Sequence, residues 1–209
     1  MFTKTLSSAT QVSLALLGKS GLLKDAYLAG GSALALHLGH RYSLDFDFFT
    51  RKHFKAENLI NNLKKIGKFE KITLTQDTLL GTFNSVKFSL FYLEYPLIQK
   101  TRPFLNISLA SCADIAAMKL AALVDRGTKR DFIDLYFLAK EKYNLKTILN
   151  FYNKKYRKLQ ENIYSILKAL KYFEDAEESE IPKMIKKVSW EEVKRFFGKE
   201  VLKLSKKYF

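Results

Sequence analysis

Residues 29–49 read AGGSALALHLGHRYSLDFDFF, and this stretch decides the fold of the chain. A short apolar run leads into the turn Gly30–Ser32, and residues 33–38 are rich in helix formers. Gly39 ends the predicted helix, and residues 43–49 then alternate between apolar and polar side chains, as a half-buried strand does. The stretch therefore predicts a strand, a glycine turn, a helix and a second strand.

Asp45 and Asp47 stand two residues apart in the second predicted strand. Because side chains alternate across a strand, both carboxylates project from one face while Phe46 and Phe48 point to the other. Two adjacent carboxylates repel each other, whereas a divalent cation that also binds substrate phosphates turns this repulsion into coordination. The pair predicts a site for Mg²⁺ or Mn²⁺.

The turn Gly30–Ser32, before the helix at 33–38, is suited to binding phosphate. Gly30 and Gly31 let the backbone approach a ligand closely, Ser32 supplies a hydroxyl, and the helix start supplies N–H groups and a positive dipole end. A tight connection would explain the glycines alone, and a solvated surface pair would explain the aspartates alone. Their order and their spacing within 18 residues favour phosphoryl or nucleotidyl transfer.

The remaining sequence predicts an α+β protein with a mixed β-sheet flanked by helices and a helical C-terminal region. The predicted helices and strands before the C-terminal part are a helix at 7–17, a strand at 26–29, a helix at 54–66, strands at 69–74, 79–83 and 86–95, and helices at 111–124 and 128–139. From residue 147 onward we expect helices with a polar break at 175–182.

Charge and composition narrow the class of protein. Lys and Arg outnumber Asp and Glu by 36 to 21, which gives a net charge of +15 and favours a polyanionic partner such as RNA or DNA, although abundant Lys also serves solubility. No signal peptide, no apolar run of transmembrane length and no pair of cysteines is present. We therefore expect a folded cytoplasmic protein that does not enter a membrane.

Two blocks resemble a known family. Residues 29–49 resemble the first motif of the AbiEii/AbiGii toxin-type nucleotidyltransferases, which belong to the DNA polymerase β-like superfamily: a GG[ST] turn, a helix, and DxD on a strand. Residues 114–136 resemble the later block, which pairs a helical Lys with an R/K-D-x-x-D-L element. The resemblance implies a nucleotidyltransferase core at residues 1–110 and a helical region at 111–209 that completes the active-site cleft.

The second block carries four candidate site residues. Lys119 and Arg126 are seven residues apart on one predicted helical face, where they grip the triphosphate or simply lie on a solvated face. Asp131 and Asp134 are catalytic candidates, and the resemblance suggests either as the general base. A capping box with Thr128, or an ion pair between Asp134 and Arg130, would also explain these two aspartates.

Polymerase β-type sites usually take a third carboxylate from a neighbouring strand, and the 86–95 strand does not supply one at its centre. Ser89 occupies that part of the strand, and Glu94 lies at its far end. Glu94 is therefore an alternative general base, less favoured than Asp131 or Asp134. Lys87 on the same strand is a candidate contact to the nucleotide.

The resemblance implies an enzyme that moves a nucleoside monophosphate from an NTP to an acceptor hydroxyl. It further implies a toxin of a toxin–antitoxin or phage-defence system with a separate antitoxin protein. The favoured acceptor is RNA, in particular the 3′ end of tRNA. Residues 141–209 carry 17 basic and 10 acidic side chains, and residues 151–158 interleave Lys with aromatics, as an RNA-binding surface or an amphipathic helix would. The alternatives are a non-catalytic RNA-binding member of the fold and a small-molecule nucleotidyltransferase.

Overall fold

A computed structural model describes residues 1–208 of the chain and divides the chain into two compact units, Met1–Ser111 and Cys112–Phe209. The first unit contains seven strands. They are β1 (Ala26–Leu28), β2 (Phe46–Thr50), β3 (Phe69–Leu74), β4 (Thr78–Phe83), β5 (Val86–Tyr92), β6 (Arg102–Phe104) and β7 (Ile107–Leu109). All seven join one sheet in the order β3-β4-β5-β2-β1-β7-β6.

The sheet is mixed, as the sequence predicts. β3, β4 and β5 form the expected antiparallel meander, and β1 pairs antiparallel with β2. The pairs β2–β5 and β1–β7 are parallel. This arrangement places β2, which begins within the DxD motif, at the centre of the sheet.

Three α-helices accompany the sheet: α1 (Ser8–Ser20), α2 (Gly30–Leu38) and α3 (Ala56–Ile66). One face of the central strands forms the core, where Phe46, Phe48 and Phe88 are almost completely buried. Since side chains alternate, the residues between these phenylalanines lie on the opposite, half-exposed face. The candidate carboxylates belong to that second face.

The hairpin β6–β7 is absent from the elements that the sequence predicts. Its two-residue turn, Leu105 and Asn106, has left-handed φ angles of 49° and 60° without a glycine. The carbonyl of Leu105 lies against the α-carbon of Gly18, in the last turns of α1, so closely that a side chain at this glycine would collide with it. Pro103 stands in β6 at the sheet edge, where a strand tolerates a missing N–H donor.

The second unit is helical, as predicted. Its helices are α4 (Cys112–Asp125), α5 (Lys129–Glu141), α6 (Leu145–Tyr156), α7 (Leu159–Ala169), α8 (Glu174–Glu177) and α9 (Trp190–Tyr208). Edge-to-face aromatic contacts join α5 to α9 through Phe132, which touches Trp190 and Phe197 at centroid distances of 5.6 and 5.4 Å. Within residues 1–208, no helix combines the length and the apolarity needed to cross a bilayer.

Candidate active site

The helix after the glycine turn begins earlier than the sequence predicts. α2 starts at Gly30 instead of residue 33, so that Gly30, Gly31 and Ser32 form its first turn. Its N-cap residue is Ala29, and no side chain caps this end of the helix. The first N–H groups of α2 therefore lack the partner that a capping side chain normally gives them, which is the arrangement found where helices bind phosphate.

Strand β2 is joined directly to this helix start. The N–H of Ala29 donates to the main-chain carbonyl of Asp47 over 2.9 Å. Gly30 has a left-handed φ of 61°, and a Cβ atom built on it would lie 2.5 Å from Oδ2 of Asp47. Only a glycine fits this position, because its missing side chain leaves the space that the Asp47 carboxylate fills.

Asp45 precedes β2, which begins at Phe46 and not at residue 43 as predicted. Asp45 and Asp47 are both half-buried, and Phe46 between them is fully buried, so the two aspartates share the open face. The hydroxyl of Ser32, only 1% exposed, donates to the main-chain carbonyl of Asp45 and lies 3.0 Å from Oγ of Ser43. In this conformation Ser32 holds the segment that carries Asp45.

The donor set of the first unit fits a divalent cation that is shared with a substrate. Mg²⁺ is commonly held by one or two protein carboxylates together with phosphate oxygens and water, and Asp45 and Asp47 supply two such carboxylates. Among residues 1–208, no group of three or more His, Cys, Asp or Glu side chains could enclose a metal ion. These residues therefore suit an ion that arrives with phosphate better than a permanently caged one.

Arg41 is a buried positive charge beside the glycine turn that the sequence analysis did not assign to the site. It is 4% exposed, and its Nη1 donates to the carbonyl of Tyr42 over 3.0 Å. Its Nη2 lies against the α-carbon of Gly31, in space that any side chain there would need. The position of an arginine between a GGS turn and a DxD motif was the available sequence signal.

The neighbouring strand places Ser89 directly opposite Asp47 in the parallel β2–β5 register. Lys87, two residues earlier on β5, is exposed and points to the same face as Ser89. Glu94 follows the end of β5, five residues beyond Ser89 and about 16 Å along the strand direction. In this register Glu94 lies far from Asp47 along the strand direction, whereas Lys87 lies on the same face and close to Asp47.

In the second unit, Lys119 lies between two completely buried carboxylates. Its Nζ is 2.9 Å from Oδ1 of Asp131 and 2.6 Å from Oδ2 of Asp134, and only 7% of its side chain is exposed. The interpretation of Lys119 as part of a solvated helix face is therefore wrong. The structure instead joins α4 to the start of α5 through a buried ion cluster.

Arg126 completes this cluster from just beyond the end of α4. Its Nε and Nη2 donate to both oxygens of Asp131, at 2.9 and 3.2 Å, and Oγ1 of Thr128 donates to the same carboxylate over 2.7 Å. Thr128 makes no side-chain cap to α5, so the predicted capping box does not form. Within residues 1–208, Arg130 forms no ion pair, and Asp134 binds Lys119 instead.

The electrostatics of Asp131 follow from these contacts. Burial alone raises the pKa of this carboxyl, but the charge of Lys119 and the hydrogen bonds and charge of Arg126 outweigh burial. The pKa of Asp131 therefore lies well below its ordinary value. Asp131 stays ionised at neutral pH and accepts a proton poorly.

A second buried ion pair was not predicted. Nζ of Lys155 in α6 lies 3.1 Å from Oδ1 of Asp114 in the first turn of α4, and both side chains are completely buried. Lys155 belongs to the interleaved stretch 151–158, whose Tyr152 is also buried and packs on Tyr156. The packing of this stretch is that of an ordinary amphipathic helix, and its aromatic rings are not an open stacking surface.

The chain is similar to known proteins along most of its length. The family model described as "Nucleotidyl transferase AbiEii toxin, Type IV TA system" matches residues 14–96 and 91–205. An uncharacterised protein of Aquifex aeolicus (strain VF5) is 41% identical over 186 residues, which cover 87% of this chain and 88% of that protein.

Two solved structures share the fold. The crystal structure of JHP933 from Helicobacter pylori has a TM-score of 0.59 and 20% identity, and the match covers 97% of this chain and 94% of that one. MenT4, a nucleotidyltransferase toxin from Mycobacterium tuberculosis, has a TM-score of 0.53 and 15% identity, with 95% and 86% covered. At these identities the two structures establish the fold alone.

Proposed function

Because the chain belongs to the AbiEii family of nucleotidyltransferase toxins, we propose that it transfers a nucleoside monophosphate from an NTP to a hydroxyl of RNA, with the 3′ end of tRNA as acceptor. One observation carries the proposal. Asp45 and Asp47 lie on one face beside the uncapped start of α2. Ser32 holds the main chain at Asp45 through a hydrogen bond, and the missing side chain of Gly30 leaves room for the Asp47 carboxylate. Two carboxylates beside free N–H groups are suited to a metal-bound triphosphate.

In this proposal the first unit binds the nucleotide. Asp45 and Asp47 hold a divalent cation, Mg²⁺ or Mn²⁺, which when bound neutralises phosphate charge and stabilises the leaving pyrophosphate. The N–H groups of Gly30, Gly31 and Ser32 donate hydrogen bonds to phosphate oxygens. Lys87, exposed on the same face of the sheet, contributes a further positive charge toward the nucleotide.

The family resemblance makes Lys119 and Arg126 the candidates of the second unit for contacting the triphosphate; Arg126 is the more accessible of the two, and the carboxylates around both set their positions. Asp131 accepts hydrogen bonds from Lys119, Arg126 and Thr128, and its lowered pKa makes it a poor proton acceptor. We therefore assign to Asp131 the positioning of the two cations, and Asp134, which is also completely buried and bound to Lys119, positions Lys119 in the same way. The acceptor oxygen bonds to the α-phosphorus, the bond to pyrophosphate breaks, and the hydroxyl proton passes to water.

The choice of RNA as acceptor rests on charge. The chain has a net charge of +15, and residues 141–209 contribute 17 basic against 10 acidic side chains. A field of this sign attracts a polyanion and disfavours a cationic small molecule. The family relationship further supports a toxin that is counteracted by a cognate antitoxin protein.

A label-transfer assay tests the proposal. Purified protein incubated with each α-labelled NTP, Mg²⁺ and total tRNA is expected to label RNA, and EDTA is expected to stop the reaction. Asp45→Asn and Asp47→Asn are each expected to reduce transfer at least a hundredfold. Glu57→Gln removes one exposed negative charge from α3 in the same unit, and this matched control is expected to transfer normally.

Two results would contradict parts of this proposal. Label that appears in a small-molecule acceptor but in no RNA would replace the acceptor and retain the chemistry. Salt-sensitive RNA binding without transfer from any NTP, together with full toxicity of Asp45→Asn in cells, would overturn catalysis and identify a binding protein that retains the fold.

A further inference from the structure

A groove in the second unit carries exposed aromatic rings. It lies between α7 and the C-terminal half of α9 and has a volume of about 530 Å³. Leu167 and Val201 form its apolar floor and are themselves buried. Tyr164 and Tyr172 line it with 67% and 43% of their surfaces exposed. Two large and partly exposed rings thus border a common apolar floor.

The groove also carries positive charge. Lys168 and Lys171 line it, while Glu174, outside the lining, accepts a hydrogen bond from Oη of Tyr172 over 3.1 Å. Within residues 1–208 neither lysine forms an ion pair, whereas Lys186 and Lys194 of the same unit both pair with glutamates. Two like charges three residues apart repel each other until an anion binds between them.

We propose that this groove binds a single-stranded segment of the RNA acceptor, with bases stacked on Tyr164 and Tyr172 and phosphates bound by Lys168 and Lys171. Exposed rings and cations that share an apolar floor are the elements from which single-stranded nucleic-acid sites are built. A partner helix would instead need a longer groove with three or four anchor positions. The inference rests on the proposed function, because it takes RNA as the acceptor.

RNA titrations test the groove separately from the chemistry. The binding of a fluorescent single-stranded RNA is measured by anisotropy without NTP, across a series of salt concentrations. Tyr164→Ala and Tyr172→Ala are each expected to weaken binding about tenfold, and the corresponding Phe variants are expected to restore it, because stacking needs the ring and not the hydroxyl.

Lys168→Ala combined with Lys171→Ala is expected to lower the slope of log affinity against log salt by about 1.4, or about 0.7 for each lost phosphate contact. Lys142→Ala combined with Lys146→Ala is the matched control. It removes two exposed charges from the same unit outside the groove and is expected to leave the slope unchanged.

The same variants are then assayed for label transfer. The groove variants are expected to raise KM for RNA about tenfold and to leave KM for NTP unchanged. If the wild type transfers label to RNA and the groove variants keep the wild-type KM for RNA and the wild-type salt slope, the groove proposal is wrong. It is equally wrong if the groove variants lose only their inhibition by an antitoxin. If the wild type binds RNA through the groove but transfers nothing, the proposed function fails and the groove proposal stands.

Discussion

The α-carbon of Gly30 and the carboxylate of Asp47 occupy adjoining space, such that a Cβ on Gly30 would come within 2.5 Å of Oδ2. The first residue of α2 is therefore packed directly against the Asp47 side chain, with no room for a side chain at Gly30. A phosphate bound at the helix start and a cation bound by Asp47 would be neighbours for this reason.

Gly30→Ala is expected to abolish this fit. The new methyl group displaces the Asp47 carboxylate, and a misplacement of about 1 Å at a reacting centre can cost about a hundredfold in rate. Gly21→Ala is the matched control, because Gly21 has a similar φ of 67° and nothing within 4 Å of its would-be Cβ. Both variants should lose about 1–2 kcal/mol of stability from left-handed strain, and only Gly30→Ala should lose label transfer.

Ser32→Ala removes the hydroxyl that holds the main chain at Asp45. We expect about 1 kcal/mol lower free energy of unfolding and about tenfold lower kcat/KM for NTP, because the Asp45 carboxylate is less well positioned. Ser20→Ala loses a comparable bond, from Ser20 to the carbonyl of Leu17 in α1, and should lose stability alone. Equal transfer rates in the two variants would remove Ser32 from the site.

Lys119 and Lys155 are both buried cations paired with aspartates, and we expect only Lys119 to serve the reaction. Replacing either with Met leaves a buried carboxylate without its cation and should cost about 3–5 kcal/mol in urea unfolding, followed by fluorescence of the single tryptophan, Trp190. At low temperature, where both variants are folded, Lys119→Met should lose transfer per folded molecule, and Lys155→Met should retain it.

The lowered pKa of Asp131 predicts how the ion cluster responds to acid. A carboxyl whose pKa is lower in the folded than in the unfolded protein adds stability above its unfolded pKa of about 3.9, and that stability is lost as the pH falls toward the folded value. The stability difference between wild type and Asp131→Asn should therefore be constant from pH 7 to about 5 and should shrink below pH 4. A difference that widens in acid contradicts the assignment.

Local patterns were sufficient to predict the burial pattern of the DxD segment. The alternation of Phe46 and Phe48 with Asp45 and Asp47 fixes which side chains are buried, because a strand has only two faces. Helix α2 nevertheless begins at Gly30, since the glycines, although poor helix formers, are the residues that permit the close approach to Asp47. Propensity therefore predicted the helix correctly and its first turn incorrectly.

Contacts between residues distant in sequence could not be predicted in this way. Asp114 and Lys155 are 41 residues apart, and no spacing rule relates positions on two separate helices. The contacts of Lys119 depend on how the chain turns between α4 and α5, which the sequence pattern does not fix. The three-residue strands β6 and β7 are too short to show alternation, and their turn lacks the usual glycine.

The pairing of Asp47 with Ser89 has a consequence for how such proteins can diverge. A single replacement, Ser89→Asp, would put a third acidic side chain in the row that already holds Asp47, without any change of loop length or strand order. Descendants of one ancestral sheet could therefore gain or shed a metal ligand by point mutation while the surrounding scaffold stays intact.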